Sequence, residues 1–234
     1  MIEHGKKYRN AKEALKTSLQ KTTSLPIKEA LKKVKDLSFV KFDESVDVSV
    51  NLGIDASKGE QVVRGAVALP HGTGKKTRVL VFAEGAKADQ ARAAGADFVG
   101  FDELVDKISG GWMDFEYTVA TPDLMPKLGK LAKILGPKGL LPNKKLGTVA
   151  DDVASVVQEL KKGRSFFKND KYGLVHFGIG KISFDADKLH DNFNEFLKVL
   201  AASKPASSKG KFIRKITISS TMGVGIGVDI EQAS

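Results

Sequence analysis

The chain has 234 residues, 41% hydrophobic and 28% charged, with a formal net charge of +10, four histidines and no cysteine. That length can bury one sizeable core or two, and the missing cysteines exclude disulfides, thiolate catalysis and cysteine-ligated zinc. No apolar run approaches the ~20 residues that span a bilayer, and Met1–Arg9 lack the apolar stretch of a secretory signal. The expectation is a cytoplasmic chain with no membrane partner.

Residues 5–20 and 26–37 predict two amphipathic helices, the second presenting Ile27, Ala30, Leu31 and Val34 at helical spacing. Strict alternation follows, with Val46, Val48, Val50, Leu52 and Ile54 on one face of a half-buried strand. Gln61–Leu69 predicts a second strand. After Pro70 short strands and helices alternate: strand Arg78–Ala83, helix Ala86–Ala94, strand Asp97–Gly100, helix Asp102–Ile108, strand Phe115–Ala120, helix Pro122–Leu135. This pitch means βαβ units and a parallel sheet. Helix Asp151–Lys162 carries acids at its start and lysines at its end, which suits the helix dipole. Ser165–Lys168 and Gly173–Gly180 flank the turn signal Asn169-Asp170 and predict a hairpin. A long amphipathic helix, Asp185–Ala202, precedes strands Lys211–Ser220 and Val224–Ile230. The expected architecture is a split α+β domain with an antiparallel sheet, made from 1–70 and 160–234, carrying an inserted Rossmann-like βαβ domain at 71–159.

Charge is segregated along the chain. Residues 1–41 carry a net +7, 42–123 a net −6, 124–150 a net +6, 151–202 balance, and 203–234 add +3. Within Leu135–Val149 stand three Gly, two Pro, three Lys (138, 144 and 145) and no acid. Glycine permits unusual backbone angles and proline fixes φ, so this is a shaped cationic loop rather than a linker. Segregated cation favours a polyanionic partner, most often nucleic acid. Lys41 with Phe42 sets an aromatic at the edge of the first basic segment. Thr217, Ser219, Ser220 and Thr221 put hydroxyls along a strand and its end, and Met222-Gly223 adds a polarizable side chain and bare backbone. Together these suit shape-based RNA recognition; singly, Phe42 could equally be core and the hydroxyls ordinary strand residues.

Chemistry of other kinds is scarce. Leu69–Thr77 approaches a phosphate-binding loop, but Leu69 and Lys76 break the pattern and a strand follows where a helix is required. A nucleotide-dependent enzyme using the βαβ domain is the alternative this stretch leaves. Gly223-Val-Gly-Ile-Gly227 lacks dinucleotide spacing. His4, His71, His176 and His190 show no metal-ligand spacing, and Asp151-Asp152 read as a helix cap. Neither a catalytic residue, a metal nor a cofactor is expected.

Leu135-Gly-Pro-Lys-Gly-Leu-Leu-Pro-Asn143 followed by Gly147-Thr-Val149 resembles the signature loop of the bacterial large-subunit ribosomal protein number one family. Val63-Arg-Gly65, Leu69-Pro-His-Gly-Thr-Gly-Lys75 and Ser219-Ser-Thr-Met-Gly223 extend the resemblance along essentially the whole chain. Lys144 and Val224 stand where the family pattern usually has proline. The resemblance implies a split domain binding large-subunit (23S) ribosomal RNA on the mobile side stalk, and a protein that is monomeric when free. Carried over by motif, Lys41, Phe42, Thr221, Met222 and Gly223 would contact RNA, with Ser219 and Lys168 beside them. Lys138, Lys144 and Lys145 would supply secondary contacts. It also implies help in releasing deacylated tRNA from the exit site and translational repression of its own operon messenger.

Overall fold

The computed structural model describes residues 5–19 and 24–229. His4, residue 20 of the first predicted helix and Ile230 of the last predicted strand lie outside the described residues. In chain order the elements are α1 (Lys6–Leu19), α2 (Ile27–Asp36), β1 (Ser45–Leu52), β2 (Arg64–Ala68), β3 (Val79–Phe82), α3 (Ala86–Ala93), β4 (Phe98–Gly100) and α4 (Asp102–Ser109). There follow β5 (Tyr117–Ala120), the short helices α5 (Met125–Leu128) and α6 (Ala132–Leu135), α7 (Val153–Lys161) and β6 (Arg164–Lys168). The last are β7 (Leu174–Lys181), α8 (Ala186–Ala202), β8 (Ile213–Ser220) and β9 (Ile226–Val228). Two compact units result. Residues up to Gly74 join those from Phe166 onward in one, and Lys75–Ser165 form the other.

In the first unit the alternation of β1 places Val46, Val48, Val50 and Leu52 in the core. β1 sits inside an antiparallel sheet of order β7-β1-β8-β9. Helices α2 and α8 pack on the sheet and on each other. The apolar stripe of α2 buries Ile27, Ala30, Leu31 and Val34, and α8 buries Leu189, Phe193, Phe196, Leu197 and Leu200. Apart from Ala30, each such side chain contributes roughly 1.5–3 kcal/mol on burial. Phe177 and Phe196 stack at 4.4 Å, and Phe167 meets both edge-on.

The second unit is built on a parallel sheet of order β4-β3-β5. Central β3 is buried over all four residues, as a strand covered on both faces must be. Asp97 Oδ2 accepts from Val79 N at 2.7 Å and from Lys161 Nζ at 2.6 Å, fastening the end of α7 to the start of β3.

The structure corrects two sequence expectations. Ser165–Lys168 and Gly173–Gly180 do not form a regular hairpin: β6 pairs with β2, and β7 with β1, leaving a single Asn169–Val175 bridge. Asn169 is the cause. Its N–H donates to Val63 O (3.0 Å) and its side-chain oxygen accepts from Val63 N (2.8 Å), drawing β6 to the β2 side. The turn itself forms, with the Asp170 carboxylate accepting from Tyr172 N and Leu174 N at 2.8 Å each. The predicted helix Pro122–Leu135 is broken into four one-turn pieces of alternating α and 3-10 character. Pro126 cannot donate an N–H and Gly129 favours no helix, so bonds of the tighter i, i+3 kind bridge the joints, from Met125 N to Pro122 O, Gly129 N to Pro126 O and Ala132 N to Gly129 O.

Candidate nucleic-acid interface

Antiparallel pairing of β1 with β8 sets Val46 opposite Ser220. The segment entering β1 and the segment leaving β8 therefore meet at one end of the sheet, although Ser45 and Thr221 are 176 residues apart in sequence. Ser45 N donates to Thr221 Oγ1 at 3.0 Å, and Thr221 N donates to Ser45 O at 3.1 Å. Glu44, fully buried, completes the join. Its Oε1 accepts from Met222 N at 2.7 Å and its Oε2 from Ser38 Oγ at 2.6 Å. Asp43 anchors the other flank, accepting from Ser183 N (3.1 Å) and Ser183 Oγ (2.8 Å). Lys181 Nζ donates to Asp43 O and Ser45 Oγ.

This framework leaves Phe42 56% and Met222 53% exposed, two large apolar side chains held at a charged surface beside exposed Lys41. Of the two readings open for Phe42, core or contact, the structure puts the ring in solvent. Thr221 is exposed, but its hydroxyl already braces Ser45. Gly223 packs on Ser220, whose Oγ would lie 2.3 Å from a Cβ there, so no larger residue fits without displacement. Among the described residues, Ser220 Oγ is a buried side-chain oxygen with no hydrogen-bond partner. Ser219 lies one pair further in, opposite Asp47. Lys168 does not join them. It precedes Asn169, which bridges Val175 opposite Val50, and the rise of β1 puts that pair roughly 17 Å from Ser45.

Lys138, Lys144 and Lys145 belong to the second unit and are all exposed. Their loop is fastened along its length. Leu140 N donates to Leu135 O at 3.0 Å, and Thr118 Oγ1 donates to Leu140 O. Asn143 accepts from Lys145 N at 2.8 Å, capping the single turn Lys144–Leu146, and donates its own N–H to Thr148 Oγ1 at 2.8 Å. Gly147 closes that turn at φ 71°, a left-handed angle that glycine adopts freely. Val149 then pairs in parallel with Ala120 at the end of β5.

Residues 28–224 match the model of the Ribosomal protein L1p/L10e family. The chain is 52% identical over 229 residues to the large ribosomal subunit protein uL1 of Macrococcus caseolyticus, covering 98% of this chain and 97% of that one. It is 51% identical over 229 residues to the protein of that name from Desulfotalea psychrophila, covering 98% and 96%. It is 52% identical over 224 residues to that of Streptococcus suis, covering 96% and 97%. The chain belongs to the ribosomal protein L1p/L10e family.

Membership accounts for the signature loop and the three further motifs on which the resemblance rested, and places the chain among large-subunit ribosomal proteins. At the two departures from the family pattern, Lys144 opens the capped turn and Val224 is buried in the first core. The relatives are named as ribosomal proteins rather than as enzymes. Leu69–Thr77 leads from β2 through turns into β3, so the strand–loop–helix order of a phosphate-binding loop is absent there. Asn192, buried on α8, holds that loop by accepting from His71 N and donating to Gly72 O. Sequence reasoning missed the supporting residues Glu44, Asp43, Ser38 and Lys181. The one available signal was the acidic pair directly after Phe42, which by itself looks like a solvated turn.

Proposed function

We propose that this family member binds large-subunit (23S) ribosomal RNA at the mobile side stalk through the sheet end where Lys41–Phe42 meets Thr221–Gly223. The observation that carries this reading is the exposure of Phe42 and Met222 on a framework braced by Glu44, Asp43 and Ser45. A rigid surface with flat apolar groups, hydroxyls, bare backbone and a cation offers what irregular RNA needs for recognition by shape, stacking and sugar contacts. On this reading the split unit is the principal RNA-binding domain, with Ser219 at the margin of its surface and Lys168 an outlying contact. The unit Lys75–Ser165 is an insertion supplying secondary contacts through Lys138, Lys144 and Lys145. The same protein, a ribosome-associated cytoplasmic monomer when free, assists release of deacylated tRNA from the exit site. It represses its own operon messenger by presenting the same surface to a similar RNA structure.

The test is a filter-binding titration against a stalk RNA fragment at several salt concentrations, with an unrelated structured RNA as competitor. The expected result is competitor-resistant binding whose logarithm falls steeply with log salt, as release of counterions requires. Binding that the competitor abolishes would overturn the reading. Titrations with deacylated tRNA and with the operon leader decide the other two roles separately.

A further inference from the structure

Beside this surface, between the first turn of α1 and the Thr221–Gly223 turn, lies a cavity of about 530 Å³ walled by Tyr8, Phe39 and Met222 and edged by Lys6 and Lys7. Its volume falls in the roughly 300–1,000 Å³ range of small-molecule sites. The walls are fixed from behind, because Tyr8 and Phe39 are partly buried and pack against the core of the split unit. The edge is cationic: Lys6 and Lys7 are exposed, no acid stands in the first turn of α1, and among the described residues no carboxylate lines the cavity. Two demands follow. The interior wants a flat, largely apolar group, and the rim wants negative charge. A nucleotide in an RNA strand meets both, with its base inside and its phosphates outside.

We propose that this cavity receives one unpaired base of the bound RNA, stacked on Tyr8, with the flanking phosphates against Lys6 and Lys7. The inference rests on the reading of Thr221–Gly223 as an RNA contact, since that turn lines the same cavity. It gives α1 a function: the helix supplies the cationic, aromatic half of a pocket whose other half comes from the far end of the chain. Aromatic platforms hold bases of any identity, because every base has a π-face. The pocket therefore reads the presence of an extruded base at a fixed place in the fold of the RNA rather than its sequence.

The test makes each unpaired nucleotide of the stalk fragment abasic in turn and titrates the set with the full-length protein. One abasic position should weaken binding about 5- to 150-fold, the range of one stacked base. That position should lose its effect in Tyr8→Ala. Because Tyr8 leans on the core, Gly5→Trp serves as a second variant. Gly5 is exposed, lines the cavity, and a Cβ there meets nothing within 4 Å, so a ring can be added at the pocket from a position that packs on no core residue. It should abolish the same abasic effect. Replacing Lys6 and Lys7 by Ala should lower the salt slope by about 0.7–0.9 for each phosphate that is no longer neutralised. A flat abasic scan, or a sensitive position that keeps its full effect in both variants, overturns the pocket and leaves the RNA surface standing. Failure of the wild-type protein to bind the intact fragment specifically would overturn the surface, and the pocket with it.

Discussion

At Glu44 one carboxylate oxygen holds the Met222 N–H and the other holds the Ser38 hydroxyl, with the side chain wholly buried. Replacing it by Ala leaves two polar groups without their partner, each costing about 1–3 kcal/mol. We expect Glu44→Ala to lower the urea midpoint and to weaken binding to the stalk fragment, although the residue never reaches the surface. Glu44→Gln, which keeps a carbonyl acceptor, should recover part of both. Phe42→Ala should separate the two effects. The ring is more than half exposed, so stability should move within about 0.5 kcal/mol, while RNA affinity falls. Equal stability and equal affinity would remove Phe42 from the interface. Lys41–Phe42 and Thr221–Gly223 were legible in the sequence because an aromatic among charges and a hydroxyl-methionine-glycine run are chemically unusual. Glu44 was not, because its burial is created by β8, far along the chain.

Among the elements, β3 and its neighbours carry the acid sensitivity of the inserted unit. Burial works against charge on Asp97, but the Lys161 ammonium and the Val79 N–H outweigh it and hold the carboxyl below its usual value. Glu116, hydrogen-bonded to Arg78, is lowered as well. A carboxylate whose folded pKa lies below its unfolded one stabilises the fold above about pH 4, and that contribution disappears as pH falls through the folded value. Trp112 is the only tryptophan and packs against Phe98 and Phe115 inside this unit, so its fluorescence follows this unit alone. The urea midpoint read from Trp112 should fall between pH 5 and pH 3, and Asp97→Asn should flatten that fall; an unaltered pH profile would mean the Lys161 pair adds nothing to stability. Periodicity made these elements readable: the alternation of β1 and the stripes of α2 and α8 survive almost residue for residue. It could not name partners. Asn169-Asp170 does turn the chain, yet β6 goes to β2 because of two bonds to Val63, which no local pattern records.

At the scale of the whole chain, the acid-free segment seen in the sequence becomes one fastened loop on which Lys138, Lys144 and Lys145 are all exposed. Changing all three to Ala should reduce the salt slope of stalk binding by about 0.7–0.9 per phosphate left without its lysine. An unchanged slope would show that the loop stays off the RNA in that complex. The split architecture also has a consequence in time. β1 lies between β7 and β8, so the sheet end around Ser45 waits for Thr221, 176 residues later. At a synthesis rate of ~5–20 residues per second, that wait is on the order of ten to thirty-five seconds. Lys75–Ser165 is contiguous and has all its own sequence long before then. An unfinished or truncated chain can thus possess a folded inserted unit and still lack the sheet end proposed to grip RNA, so on that proposal only completed copies compete for it.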